Sequence, residues 1–208
     1  MYNVICVKFG TKYNSEFVNK LYKDLKGVTE QEFNFFCYTD NPNGIDSDIE
    51  IIPEMRSPTL KGVWNKLRLF DEEMYLEGKC FFFDLDIKIL KDPFIEVDWN
   101  KLTVIDSHWK DPNIIRPTNY DVTMNSSVMA WDANNPNIQK IWEHFNTGYR
   151  DYYLRKYVGI DRFITHEKID YDTFPHEYIQ SKKYQENVDY EASVLTFEEI
   201  EVGLEDLR

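Results

Sequence analysis

Two carboxylates separated by one residue, Asp84 and Asp86, follow directly on an aromatic run in KCFFFDLDIKIL, residues 79–90. Read as one strand, alternation puts both acids on one face with their Cα atoms roughly 7 Å apart. Two acids cannot be buried together unpaired, so something positive is expected beside them. Carboxylate oxygens suit hard cations such as Mg2+ or Mn2+, and an ion held in this way bridges to the phosphate oxygens of a nucleotide. The plainer alternative is that both acids face water where the strand leaves the sheet. Lys66 is a second residue to place. Residues 61–77 read as a helix with Val63, Leu67, Phe70 and Met74 on one stripe, which places Lys66 about 60° away, at the edge of the buried face. Its alternative is an ordinary solvated lysine.

These residues need a scaffold, and the flanking sequence supplies an α/β pattern. NVICVKF (3–9) reads as a short strand, and NSEFVNKLYKDLK (14–26) carries Phe17, Val18, Leu21 and Leu25 at helical spacing. Asn14 or Ser15 can cap the helix start, and Gly27 sits where a C-terminal cap is expected. FNFFCYTD (33–40) is a buried strand, NPNG (41–44) a turn, and IEIIPE (49–54) a strand broken by Pro53. Downstream of residue 90, KLTVIDSH (101–108) and NSSVMAWD (125–132) read as strands on either side of a polar loop over 109–119. A helix from about 136 to 149 packs through Ile138, Ile141, Trp142 and Phe145, and a short helix follows near 160–167. The remainder, ending in TFEEIEVGLEDLR, is weakly patterned. The alternation predicts an α/β fold with a mostly parallel sheet. In such sheets ligands bind beyond the carboxyl ends of the strands, where the two acids lie.

Composition narrows the function classes. With 208 residues the chain suits one domain and a full core. Lys+Arg number 24 against 37 Asp+Glu, a formal net charge of -13, and no cationic cluster exists to neutralise phosphates, which argues against a nucleic-acid partner. No apolar run approaches the roughly 20 residues of a membrane span. The start, MYNVICVKFG, lacks the features of a signal peptide, so a cytoplasmic location is expected. Cys6, Cys37 and Cys80 are odd in number, widely spaced and set in apolar runs, which predicts buried reduced thiols. His108, His144, His166 and His176 lack paired metal spacing and are read as structural or surface residues.

Five segments, CVKFGTKY (6–13), CYTD (37–40), GVWNKLRLF (62–70), FFFDLDIKIL (81–90) and NSSVMAWD (125–132), share order and spacing with a known family. On them the chain resembles small GT-A fold glycosyltransferases, similar to glycogenin-like retaining sugar transferases and their short bacterial and phage relatives. The resemblance covers about the first 150 residues. It implies a Rossmann-like, mixed but mostly parallel sheet flanked by helices. It also implies one domain over 1–208, with a nucleotide-binding half (1–100) and a smaller sugar and acceptor half (101–208). The donor implied is a nucleotide diphosphate sugar, a UDP-hexose by family habit, used with Mn2+ or Mg2+.

Residue by residue, the resemblance implies that Val7, Phe9, Gly10 and Tyr13 contact the uridine, with Tyr13 stacking on the base. Seen alone, Tyr13 is a turn residue that closes a helix end by packing. Asp84 and Asp86 match the metal-chelating D-x-D, with Leu85 between them at the donor, and Lys66 matches a basic residue that reaches the donor. Arg56 occupies a similar upstream position with looser spacing. Asn125 and Ser126 match the start of the N-S-G that contacts the transferred sugar, with a polar strand start as the alternative.

Two departures stand out. Where relatives carry G-D-Q, this chain has Gly159-Ile160-Asp161, leaving Asp161 as the catalytic candidate near the anomeric carbon. The H-G-x-K-P motif that supplies a third metal ligand is missing, and Glu198 lies roughly where its histidine falls. Sugar transfer to an acceptor hydroxyl, with retention, is the leading expectation, and the acceptor could be a glycan, a lipid-linked sugar or a protein. A nucleotide-sugar-binding protein without transfer activity is a second reading. A phosphatase of the haloacid dehalogenase type, with Asp84 as nucleophile, ranks below both. That family wants Thr or Val two residues after the second acid, where this chain has Lys88.

Overall fold

The computed structural model describes residues 1–54, 60–109, 122–182 and 192–197. In chain order the elements are β1 (Tyr2–Lys8), α1 (Ser15–Val28), β2 (Phe33–Thr39), β3 (Glu50–Pro53), β4 (Lys79–Phe83), β5 (Ile87–Ile89) and β6 (Leu102–Asp106). They continue as β7 (Met124–Asp132), α2 (Pro136–Phe145), α3 (Arg150–Lys156), α4 (Ile160–His166), β8 (Tyr171–Thr173), β9 (Ile179–Ser181) and β10 (Val194–Thr196). Among the described residues one seven-stranded sheet runs β3-β2-β1-β4-β7-β6-β8, and β5-β10-β9 form a second. In the large sheet β1–β2, β1–β4, β2–β3 and β6–β8 pair parallel, while β4–β7 and β6–β7 pair antiparallel. This is the mixed, mostly parallel α/β architecture that the sequence predicts.

Strand β4 explains why its sequence is an uninterrupted apolar run. It lies between β1 and β7 and is covered on both faces, so alternation sorts its rings instead of exposing half of them. Phe81 and Phe83 join Val4, Cys6 and the buried side of α1 in one core, and Cys80 and Phe82 join Ile5, Leu67 and α2 in the other. All three cysteines are buried free thiols, as expected. In α1 the side chain of Asn14 accepts from Glu16 N, as an N-cap should. Gly27 does not end the helix; the chain stays helical to Val28, and the Thr29 amide closes the end on Leu25 O.

The structure corrects three other boundaries. Residues 79–90 are not one strand: β4 stops at Phe83, and β5 belongs to the second sheet, so Asp84-Leu85-Asp86 forms the turn between them. Carrying two carboxylates further into a sheet covered on both faces would desolvate both, and the chain leaves the sheet instead. Residues 61–77 are not one α-helix but two 3-10 stretches, Gly62–Phe70 and Glu72–Met74. At three residues per turn Trp64, Leu67 and Phe70 form one buried row, whereas Val63, assigned to the buried stripe by the α-helical period, is 50 % exposed. The helix expected over 136–149 ends at Phe145 and is followed by the separate α3. The weakly patterned end holds three-residue strands, too short for any period to show.

Candidate active site

Carboxyl ends of β1, β2, β4 and β6 and the amino end of β7 converge at one edge of the large sheet. Asp84 is anchored there by its own backbone, its N–H donating to Ser127 O across the β4–β7 pair at 2.8 Å. Lys66 reaches the same place from the 3-10 stretch on the sheet's face. It is buried, not at the edge of a helix, and its Nζ lies 2.7 Å from Asp84 Oδ2, 3.2 Å from Ser126 O and 3.3 Å from Ser126 Oγ. Those contacts use all three donors of the ammonium. Its charge also lies 5.1 Å from the centroid of the Phe82 ring.

The remaining candidates extend this network. Ser126 N donates to Asp161 Oδ1 at 3.1 Å, which brings the first turn of α4 to the start of β7. Asn125 Oδ1 accepts from Ser127 N at 2.8 Å, so the N-S pair is a folded polar corner beside Lys66. Asp86 accepts from the Tyr13 hydroxyl at 2.7 Å, with Lys12 Nζ at 3.9 Å. Lys12 was not singled out from the sequence; its only signal is its place between the end of β1 and Tyr13. Gly10, at φ 70, makes the left-handed turn that ends β1, and its N–H donates to Asp40 Oδ2 at 2.9 Å.

Not every predicted residue faces the same space. Leu85 is 3 % exposed and its side chain packs in the core with α1, so only its backbone is left for a ligand. Phe9 lies edge-on to Tyr38, with ring centroids 4.8 Å apart, and packs with Val7 against the core on the Lys66 side of the sheet. Tyr13 packs against the other core, on α1. The end of β1 is therefore bracketed by aromatic rings on both sides. Arg56 and Glu198 lie outside the described residues. His108 and His176 stack with centroids 3.9 Å apart, and His176 Nε2 lies 3.1 Å from Asp106 Oδ2 at the end of β6. A cavity of about 700 Å3 elsewhere is lined by the buried Arg68–Asp71 ion pair, Trp142 and Glu143, and by none of the residues at the sheet edge.

Burial pushes the Asp84 carboxyl up to about 6, against the downward pull of Lys66 and with a further upward push from Asp86. Its folded value exceeds the unfolded one, so the folded chain holds this proton more tightly. The stability Asp84 contributes is complete below about pH 4 and is lost as pH rises through about 6. We expect the wild type to lose stability relative to Asp84→Asn as pH rises from 4 to 7 in urea unfolding; a wild type that gains stability relative to Asp84→Asn over that range, or stays level with it, would contradict this assignment. Cation or diphosphate binding needs the ionised form and should run the opposite way, strengthening as pH rises through 6.

Among the described residues no group of three or more His, Cys, Asp or Glu side chains is placed to hold a metal ion. Asp84 and Asp86 nevertheless fit as a partial site. They are hard oxygen donors on one turn, with side chains 23 % and 25 % exposed, and each has a local donor on one oxygen. Phosphate-linked Mg2+ sites typically use one or two carboxylates and complete their shell with substrate oxygens and water.

A scan against protein-family models finds no match, and a search of curated proteins finds none either. Solved structures do match. The galactosyltransferase LgtC, in complex with donor and acceptor sugar analogs, superposes with a TM-score of 0.61 at 10% identity over 93% of this chain and 86% of its own. An active-site mutant of LgtC gives 0.60 with the same coverage. The glycosyltransferase GlyE of Streptococcus pneumoniae gives 0.59 at 11% identity, over 86% of this chain and 47% of its own. The chain therefore has a GT-A glycosyltransferase-like fold. Among the described residues no helix is long and apolar enough to cross a membrane.

Proposed function

We propose that this protein is a glycosyltransferase that moves a sugar, a hexose by resemblance, from a UDP-sugar to an acceptor hydroxyl with retention of configuration. The observation that carries the reading is the Asp84–Lys66–Ser126–Asp161 chain beside Asp86, at the carboxyl edge of the sheet in this fold. During transfer the bond from the anomeric carbon to the diphosphate breaks, one to the acceptor oxygen forms, and the acceptor hydroxyl's proton passes to the departing diphosphate. Negative charge then grows on the departing diphosphate, and a buried, fully oriented ammonium stabilises it without reorganising. Lys66 has that role. Asp84 and Asp86 would hold a Mn2+ or Mg2+ ion, which would supply further neutralisation of the diphosphate.

Val7, Phe9, Gly10 and Tyr13 bound the end of β1 where the uridine is read. Asn125, Ser126 and the Leu85 backbone border the sugar and diphosphate. Asp161, which accepts from Ser126 N, lies beside the transferred sugar. On this reading residues 1–100 bind the nucleotide and 101–208 form the sugar and acceptor half of one domain. The acidic composition and reduced thiols suit a cytoplasmic setting. The acceptor is a glycan, a lipid-linked sugar or a protein.

A panel of UDP-sugars with manganese tests the reading by following UDP release with and without candidate acceptors. Release from one sugar that is lost in Asp161→Asn and Lys66→Ala supports transfer. Tight UDP-sugar binding with no turnover across the panel would leave a binding protein instead.

A further inference from the structure

The hydrogen bond from Tyr13 to Asp86 joins two parts of the molecule that the proposed function uses separately. Tyr13 lies in the loop between β1 and α1, and Asp86 in the turn between β4 and β5. The pair is 73 residues apart in sequence, with the phenol oxygen 2.7 Å from Asp86 Oδ2. The ring of Tyr13 does not depend on a ligand for its position. It packs edge-on against Phe17, with centroids 5.0 Å apart, in the first turns of α1, whose start is capped by Asn14. Lys12 Nζ sits 4.6 Å from the centroid of the same ring. Asp86, by contrast, is on a two-strand turn with a partly exposed carboxylate. Besides the hydroxyl, its ion-pair partner is Lys12 at 3.9 Å, with 72 % of the lysine side chain exposed. An exposed lysine at that distance does not select a rotamer, whereas a short bond from an anchored ring does.

We propose that Tyr13 is a positioning residue for Asp86: its hydroxyl fixes the carboxylate so that one oxygen is held and the other is presented to a divalent cation. The nucleotide wall at the end of β1 and the acidic turn then move as one unit. This inference rests on the proposed function in taking Asp86 as a cation ligand, and it adds a role for the hydroxyl that base stacking does not require. Partners that orient a ligating carboxylate typically change metal affinity about 10–100-fold when removed.

The test is a calorimetric titration of Mn2+ alone into nucleotide-free wild type, Tyr13→Phe and Asp86→Asn, with UDP titrated into the same proteins without metal. Phenylalanine keeps the ring and its packing on Phe17 and removes only the hydroxyl. We expect Tyr13→Phe to bind Mn2+ about tenfold or more weakly, with metal-free UDP affinity within about twofold of wild type, because a stacking ring is retained. Unchanged or tighter Mn2+ binding in Tyr13→Phe would overturn the inference, as would loss of UDP binding with Mn2+ affinity intact, since the hydroxyl would then serve the nucleotide. If wild type and Asp86→Asn bind Mn2+ alike, the assignment of Asp86 as a ligand fails, and the positioning role fails with it. Only that last outcome touches the proposed function.

Discussion

Lys66→Ala is expected to lower the rate of sugar transfer by roughly 10²–10³-fold or more, the loss typical when one preorganised group that stabilises a developing negative charge is removed. The ammonium is buried and holds Asp84 Oδ2 at 2.7 Å with Ser126 O and Oγ completing its donors, so it is already oriented before a diphosphate arrives. The same substitution strands Asp84. Breaking a buried pair by removing one partner costs about 3–5 kcal/mol. Part of that is relieved as the Asp84 carboxyl, already raised by burial, moves further up and takes a proton at neutral pH. Lys66→Arg should not restore the rate, because a planar fork cannot replace an ammonium whose three donors diverge. Urea unfolding beside single-turnover transfer separates the two effects. A Lys66→Ala protein that loses stability and keeps its rate would remove Lys66 from the chemistry.

Asp86→Asn should show the complementary pattern, a large functional loss with little change in stability. The amide oxygen can still accept from the Tyr13 hydroxyl, the side chain keeps its volume, and the site is partly exposed, so unfolding should shift by about 0.5 kcal/mol or less. What disappears is the second negative charge on the turn. Metal-dependent UDP binding is expected to fall about 100-fold, at the strong end of the range for perturbed metal sites. Metal-independent binding should persist or improve slightly. Because Asp86 pushes the Asp84 carboxyl upward, its neutralisation should also bring the Asp84 titration down towards the ordinary carboxylate range, readable by NMR. If metal-dependent binding survives in Asp86→Asn, the acidic turn is not the cation site.

Much of this was legible in the sequence because it is carried by patterns as long as the elements themselves. Phe17, Val18, Leu21 and Leu25 mark α1, the β-branched and aromatic runs mark β1, β2 and β7, and Asn14 marks the helix start; all are found in place. Asp84, Lys66, Ser126 and Asp161, all legible as site candidates, are joined by hydrogen bonds in one network, whereas Asp86, also a candidate, bonds to Tyr13 beside it. The break after Phe83 was not legible. Ile87 and Ile89 continue the alternation of β4, and no residue type in Asp84-Leu85-Asp86 demands a turn. The 3-10 stretch was hidden because Leu67 and Phe70 satisfy both a 3.0 and a 3.6 period, and only Val63 separates the two. Long-range side-chain bonds leave no local trace, so neither the Tyr13–Asp86 tie nor the nearby Lys12 could be read before the chain was folded.

The central claim is that the acidic turn and Lys66 build a metal-assisted nucleotide site, and calorimetric titration of the metal-free wild-type protein with UDP, with and without manganese, tests it most directly. The account predicts binding that is strengthened by manganese and weakened as pH falls through about 6, where Asp84 takes up its proton. No UDP binding under either condition would contradict the nucleotide assignment, and equal affinity with and without manganese would contradict the role given to Asp84 and Asp86.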